Sequence, residues 1–173
     1  MDTLTGDERK QAMDFFKSLF PIIELPISVT KETFEECSIH NQPLPLWVYE
    51  NIISLIDDIS SEHIEYIPCF RFVHSKDIDC LLLAKIDLLH YQYILVSIDK
   101  KGLIIDFMTI AGLQILDDIY QKYTLARIEN DQKIYQVESQ GLIQDEYSTL
   151  EPKYYMLEIG GDGKFSDKIP ISH

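Results

Sequence analysis

One pattern restricts the fold of this chain more than any other, because it is written three times. The stretches "YILVSIDKKGLII" (93–105), "YTLARIENDQKIY" (123–135) and "YYMLEIGGDGKFS" (154–166) each read as strand, tight turn, strand. Take Tyr93, Tyr123 and Tyr154 as position zero. Two residues on stand Leu95, Leu125 and Met156; five on stand Ile98, Ile128 and Ile159; eleven on stand Ile104, Ile134 and Phe165. The turns between the arms are "DKKG", "ENDQ" and "GGDG". Gly102 and Gly163 lack a Cβ and accept the positive φ that a type I turn closing on a bulge requires. Gln132 stands at the equivalent place and predicts a small strain cost or a different loop.

Alternate residues of a strand share a face. One face of the repeat carries Ile94, Val96, Ile98, then Ala126, Ile128, then Leu157, Ile159, apolar up to the turn. The spacing predicts that this face packs on helices. The other face carries Tyr93, Leu95, Ser97, then Tyr123, Leu125, Arg127, then Tyr154, Met156, Glu158. Tyrosines aligned beside Leu and Met have the composition of a protein-binding patch. The same residues also suit a second core lying under other strands or under the N-terminal helices. Three two-stranded units close neither a propeller nor a solenoid, so a single twisted meander is the simpler solution.

Before the repeats, "CLLLAKID" (80–87) and "YQYILVSID" (91–99) read as a hairpin joined through "LLHY", and "YIPCFRFV" (66–73) reads as an edge strand because Pro68 has no amide to donate. The front of the chain has helical period. Thr5 and Glu8 fit a capping box, and Ala12, Met13, Phe16, Leu19 and Phe20 form one apolar stripe ended by Pro21. "PIIELPISV" is expected to be extended, and a short helix is expected from Lys31, capped by Thr30, with Phe34 and Cys37 inward. A longer helix is expected after Pro45, burying Val48, Ile52, Leu55, Ile56 and Ile59. The expected fold is therefore α+β: one domain over 1–173, mainly helical over 1–63, with those helices packed on one face of an antiparallel β-meander over 64–173 built from successive hairpins.

Composition narrows the function classes. A net charge of −14 over 173 residues repels phosphate backbones and anionic headgroups, so nucleic acid and membrane surfaces are not expected partners. No apolar run reaches the length of a membrane span, and "MDTLTGDERK" is not a signal peptide. Cys37, Cys69 and Cys80 are too few and odd in number for a disulfide framework, which fits a reducing cytoplasm. No catalytic residue, cofactor or metal site emerges. His74, Asp77, Asp79 and Cys80, with Cys69 before them, lack the paired short spacing of zinc ligands. "CSIH" (37–40) is isolated, and Asp162 and Asp167 lack most oxygens of a calcium loop. No nucleophile elbow, phosphate loop or dinucleotide motif is present.

The expected function is a non-enzymatic, acidic protein-binding domain. Its contact residues would be Tyr93, Tyr123, Tyr154, Leu95, Leu125 and Met156. Its partner would be a basic protein, and the specific version is an immunity- or inhibitor-type protein with carboxylates gathered around exposed aromatics. The alternative is a small-molecule binder or enzyme with a pocket between helices and sheet. Self-association through an outer strand of the meander is a third expectation.

Overall fold

The alternating segments after Ile64 form strands. The computed structural model describes residues 6–42, 44–57, 63–143 and 145–172. In chain order the elements are α1 (Gly6–Ser18), β1 (Ile27–Val29), α2 (Glu32–His40), α3 (Leu46–Asn51), a 3₁₀ turn (Ile53–Leu55), β2 (Glu65–Ser75), β3 (Ile78–Ile86), β4 (Tyr91–Asp99), β5 (Ile104–Ile115), β6 (Tyr120–Ile128), β7 (Lys133–Leu142), β8 (Asp145–Thr149), β9 (Lys153–Glu158) and β10 (Ile169–Pro170). The ten strands join one sheet in the order β10-β9-β7-β6-β5-β4-β3-β2, with β1 added to β6 and β8 added to β7. The protein is thus mostly antiparallel sheet with a few helices. The Thr5–Glu8 capping box and Ile59 fall outside the described residues.

The three repeats close through the same turn. The amides of Asp99, Glu129 and Gly160 donate to the carbonyls of Leu103, Lys133 and Lys164 at 2.9, 2.9 and 2.8 Å. The amides of Gly102, Gln132 and Gly163 return to Asp99, Glu129 and Gly160 at 3.0, 2.9 and 2.8 Å. The last residue of each quartet has positive φ: 81° at Gly102, 65° at Gln132 and 84° at Gly163. Gln132 therefore takes the strained option in the same loop. Its side-chain Nε2 donates to the His74 carbonyl at 2.8 Å, a bond that offsets the strain and that glycine could not make.

The meander does not stay flat. β5 pairs with β4 along nearly its whole length but with β6 only through Gly112–Ile115. A bulge interrupts the β4–β5 ladder beside Ile110, and Gly112 has φ 149°. A Cβ at Gly112 would lie 2.3 Å from the Tyr91 carbonyl oxygen, so only glycine fits this bend. Beyond the bend β1 takes the place of β5, pairing Val29 with Ala126 and Ile27 with Ile128. The second half of the sheet then lies over the first. Bonds outside the ladders join the halves: Gln136 Nε2 to Ile110 O at 2.5 Å, Ser97 Oγ to Gly163 O at 2.6 Å, and the Phe165 amide to Asp106 Oδ2 at 2.9 Å.

This coil corrects the expectation of one continuous core face. Ile94, Val96 and Ile98 share a buried cluster with Met13, Phe16 and Phe20 from the first helical segment, Val48 and Ile53 from the second, and Leu81 and Leu83 of β3. Ala126, Ile128, Leu157 and Ile159 belong instead to a cluster between the two halves of the sheet, with Tyr93, Leu95, Leu82, Phe72 and Ile110. Alternation identifies which residues are buried; the bend at Gly112 decides which core receives them.

The third helix also differs from expectation. It ends at Asn51, and a 3₁₀ turn follows after Ile52, whose φ and ψ are −120° and −54°. Adjacent Ile52 and Ile53 are both buried. The tighter turn inserts both and swings Leu55 outward to 62% exposure. Thr30 does not cap α2 as expected: its hydroxyl bonds Glu32 Oε2 at 2.6 Å.

The sheet edges are blunted. β2 lies at one edge, as Pro68 predicts, and the preceding chain covers part of it: Ile23 N donates to Arg71 O and Arg71 N to Pro21 O, both at 2.9 Å. β10, at the other edge, is two residues long and ends in proline, which has no amide to offer.

Candidate protein-binding face

Register places residues directly opposite one another on the same side of a sheet. Across β6, β7 and β9, Leu125 faces Val137 and Val137 faces Tyr154. In the next row Arg127 faces Tyr135, Tyr135 faces Met156, and Met156 faces Ile169 of β10. Tyr123 stands one row back, opposite Ser139. The intervening residues, Ala126, Ile128, Ile134 and Leu157, point into the core between the sheet halves. The rows Leu125–Val137–Tyr154 and Tyr135–Met156–Ile169 therefore form the outer side of the second half of the sheet. Leu125 is 43% exposed, Tyr135 36% and Ile169 50%. Val137, Tyr154 and Met156 are half-buried beside them.

Of the six contact residues expected from the sequence, Leu125, Tyr154 and Met156 come together on this side, and Tyr123 stands at its bend end, opposite Leu113, which packs against the core between the sheet halves. The other two do not join this side. Tyr93 and Leu95 are fully buried in the core between the sheet halves. The Tyr93 hydroxyl donates to Thr30 O at 2.8 Å and accepts the Phe34 amide at 2.9 Å, pinning α2. Burial, and to a lesser degree the nearby Cys69 and Tyr91, push its phenol well above the ordinary tyrosine range. A row of three tyrosines does not form, because the bend at Gly112 turns the first hairpin away from the other two. Val137, Tyr135 and Ile169 complete the patch. The alternation of "YQVES" (135–139) on the return strand is the signal that locates the first two.

Charge around the patch has both signs. At the turn end Arg127 pairs with Glu129 at 2.5 Å and reaches Ser28 Oγ at 3.2 Å, while Lys133 pairs with Asp131 at 3.2 Å. The hydrogen bond from Lys133 holds the Asp131 carboxyl below its usual range. Glu158 faces Lys133 across the ladder. Among the described residues the turn end thus carries Glu129, Asp131 and Glu158 beside Arg127 and Lys133.

Several of the residues weighed for metal or catalytic chemistry have structural partners. Asp79 accepts Lys17 at 2.8 Å, and Asp77 accepts Lys100 at 2.7 Å. His74 Nε2 is 2.8 Å from Gly160 O and so donates to it, fastening the third turn to β2. Asp162 accepts the Lys164 amide at 3.1 Å inside that turn. Cys80 is fully buried, and burial, with some help from Asp79, pushes its thiol up to about 12. Among the described residues no group of three or more His, Cys, Asp or Glu side chains is placed to hold a metal ion, and no helix is long and apolar enough to cross a membrane.

Compared with protein-family models, with curated proteins and with solved structures, the chain matches none of them.

Proposed function

We propose that this protein is a non-enzymatic, acidic protein-binding domain that docks a basic protein on the outer side of β6, β7, β9 and β10. One observation carries the reading: two adjacent rows of large apolar side chains, Leu125–Val137–Tyr154 and Tyr135–Met156–Ile169, stand on a sheet surface that contributes to neither buried core. Apolar rows with aromatic and Met content, a mixed-charge rim and a rigid ladder beneath are the anatomy of a protein contact. The net charge of −14 acts at longer range, favouring encounter with a basic partner and slowing encounter with acidic ones. The inhibitor-type version, in which carboxylates ring the contact, draws no support from this rim, where Arg127 and Lys133 stand among the acids.

The test is comparative capture from the native host with the wild-type chain and a Leu125→Asp/Met156→Asp variant, followed by reconstitution from pure components. The reading expects a basic protein retained by the wild type and lost by the variant, with an association rate that falls as salt rises. Retention of the same protein by both, or binding indifferent to salt, contradicts it.

A second reading rests on a groove of about 650 Å³ between α1, the α3–3₁₀ segment and the β4–β5 hairpin. Met13, Ile52, Leu55, Leu103, Ile104 and Phe107 line it, a setting for an apolar small molecule. Enhanced fluorescence of an anilinonaphthalene dye, abolished by Leu103→Asp, favours this reading; a dye that stays dark counts against it.

A further inference from the structure

Two of the three cysteines meet. Cys37 lies on α2 and packs against the buried cluster that holds Cys69 of β2. Both line one surface groove, with Ile23, His40, Asn41 and Phe70. Cys37 is half-buried and Cys69 is buried, so the groove reaches the first thiol more readily than the second. The approach is fixed from both ends of α2. At its C-terminal end Asn41 Nδ2 donates to the carbonyls of Pro68 and Cys69, the latter at 3.0 Å. Near its start the Phe34 amide is tied to the buried Tyr93 hydroxyl at 2.9 Å.

The two sulfurs are not equivalent. The neighbouring Cys69 thiol holds the Cys37 thiol below its ordinary range, against the effect of burial. The neighbouring Cys37 sulfur, and then burial, push Cys69 up. The Cys69 thiol donates to Ile67 O at 3.7 Å. A reachable thiol biased toward thiolate, backed by a buried thiol that keeps its proton, is the division of labour of an attacking and a resolving cysteine.

We propose that Cys37 and Cys69 are a redox-active dithiol, which a peroxide converts to an intramolecular disulfide joining α2 to β2. The Cys37 thiolate attacks one peroxide oxygen, the O–O bond breaks, and the departing hydroxide takes a proton to leave as water; Cys37 becomes a sulfenic acid. Cys69 then attacks the Cys37 sulfur. The S–S bond forms, the S–O bond breaks, and the leaving hydroxide takes the Cys69 proton as a second water. Two thiols lose two electrons and two protons in all, and one peroxide is reduced to two waters.

The experiment exposes the reduced, folded chain to stoichiometric hydrogen peroxide, then blocks free thiols in denaturant and maps them by mass spectrometry after cleavage at glutamates. The expected result is a mass loss of about 2 Da, a Cys37–Cys69 linked peptide, a free Cys80, and full reversal by dithiothreitol. Cys69→Ser should stop at a Cys37 sulfenic acid trapped by dimedone, and Cys37→Ser should slow peroxide consumption at least about tenfold. Cys80→Ser should behave as the parent. A Cys69 that remains blockable after oxidation, or a bridge that includes Cys80, overturns the proposal.

Discussion

The helix side of β3 and β4 and the outer side of β6, β7 and β9 use much the same alphabet. The first presents Leu81, Leu83, Ile94, Val96 and Ile98; the second presents Leu125, Val137, Tyr154, Tyr135 and Met156. On the first side Phe16, Val48 and Ile53 complete a closed core, and every one of its strand residues is buried. On the second side Leu125 and Tyr135 remain exposed. An apolar row therefore marks a surface that wants a cover, and only the rest of the chain decides whether the cover is internal. The first side is settled by its own helices. The second is not covered among the described residues, and it is there that the proposed partner would dock.

The contrast breaks most visibly under a buried charge. Val96→Asp puts an unpaired carboxylate under the helices and should destabilise by more than about 4 kcal/mol, enough to lose a cooperative urea transition. Leu125→Asp, the same type of change on the exposed side, should shift the same transition by no more than about 1 kcal/mol. Next in size, Phe16→Ala should cost about 3–5 kcal/mol by thermal or urea melts, because the helix segment loses the ring that fills the core over β3 and β4.

A smaller effect sharpens the account of how the second hairpin is aimed. Gln132→Ala keeps the positive φ but removes the bond to His74 O, and should cost about 1–2 kcal/mol. Gln132→Gly exchanges that bond for relief of strain and should stay within about 0.5 kcal/mol of the parent in the same melts.

The smallest effect concerns acid. Burial disfavours the ionised form of Glu138, but hydrogen bonds from Lys168 at 2.6 Å and Lys122 at 3.0 Å outweigh it and leave the carboxyl below the ordinary 4.5. A lowered folded-state pKa means that this stabilisation is present above the unfolded value and is lost as pH falls below about 4.5 through the folded value. Glu138→Gln should therefore flatten the part of the stability profile below pH ~4.5, read as Tm against pH, while lowering Tm near neutrality.

Much of the sheet was legible in the residues. The three quartets identified all three turns, and Pro68 identified the edge strand, because turn chemistry and the missing proline amide are local properties. The division of Ile94 and Ile128 between two cores was not legible, since it depends on a bulge at Ile110 and a bend at Gly112, where one backbone approaches another. The break after Asn51 was not legible, because helical spacing also admits adjacent apolar residues on one stripe and no Gly or Pro marks the change to the tighter turn. Of the candidate face, Leu125, Tyr154 and Met156 followed from alternation. Tyr93 and Leu95 were misassigned for the same reason as the cores: the first hairpin belongs to the other half of the coil.

The docking claim is tested most directly by site-specific photo-crosslinking in the native host. A benzophenone side chain placed at Tyr135, in the middle of the exposed rows, is compared with one at Leu89, in the β3–β4 loop. The account predicts a single dominant adduct with a basic protein from position 135, abolished by Leu125→Asp, and none from position 89. An adduct from position 89 of equal yield, or one at position 135 that survives Leu125→Asp, would contradict it.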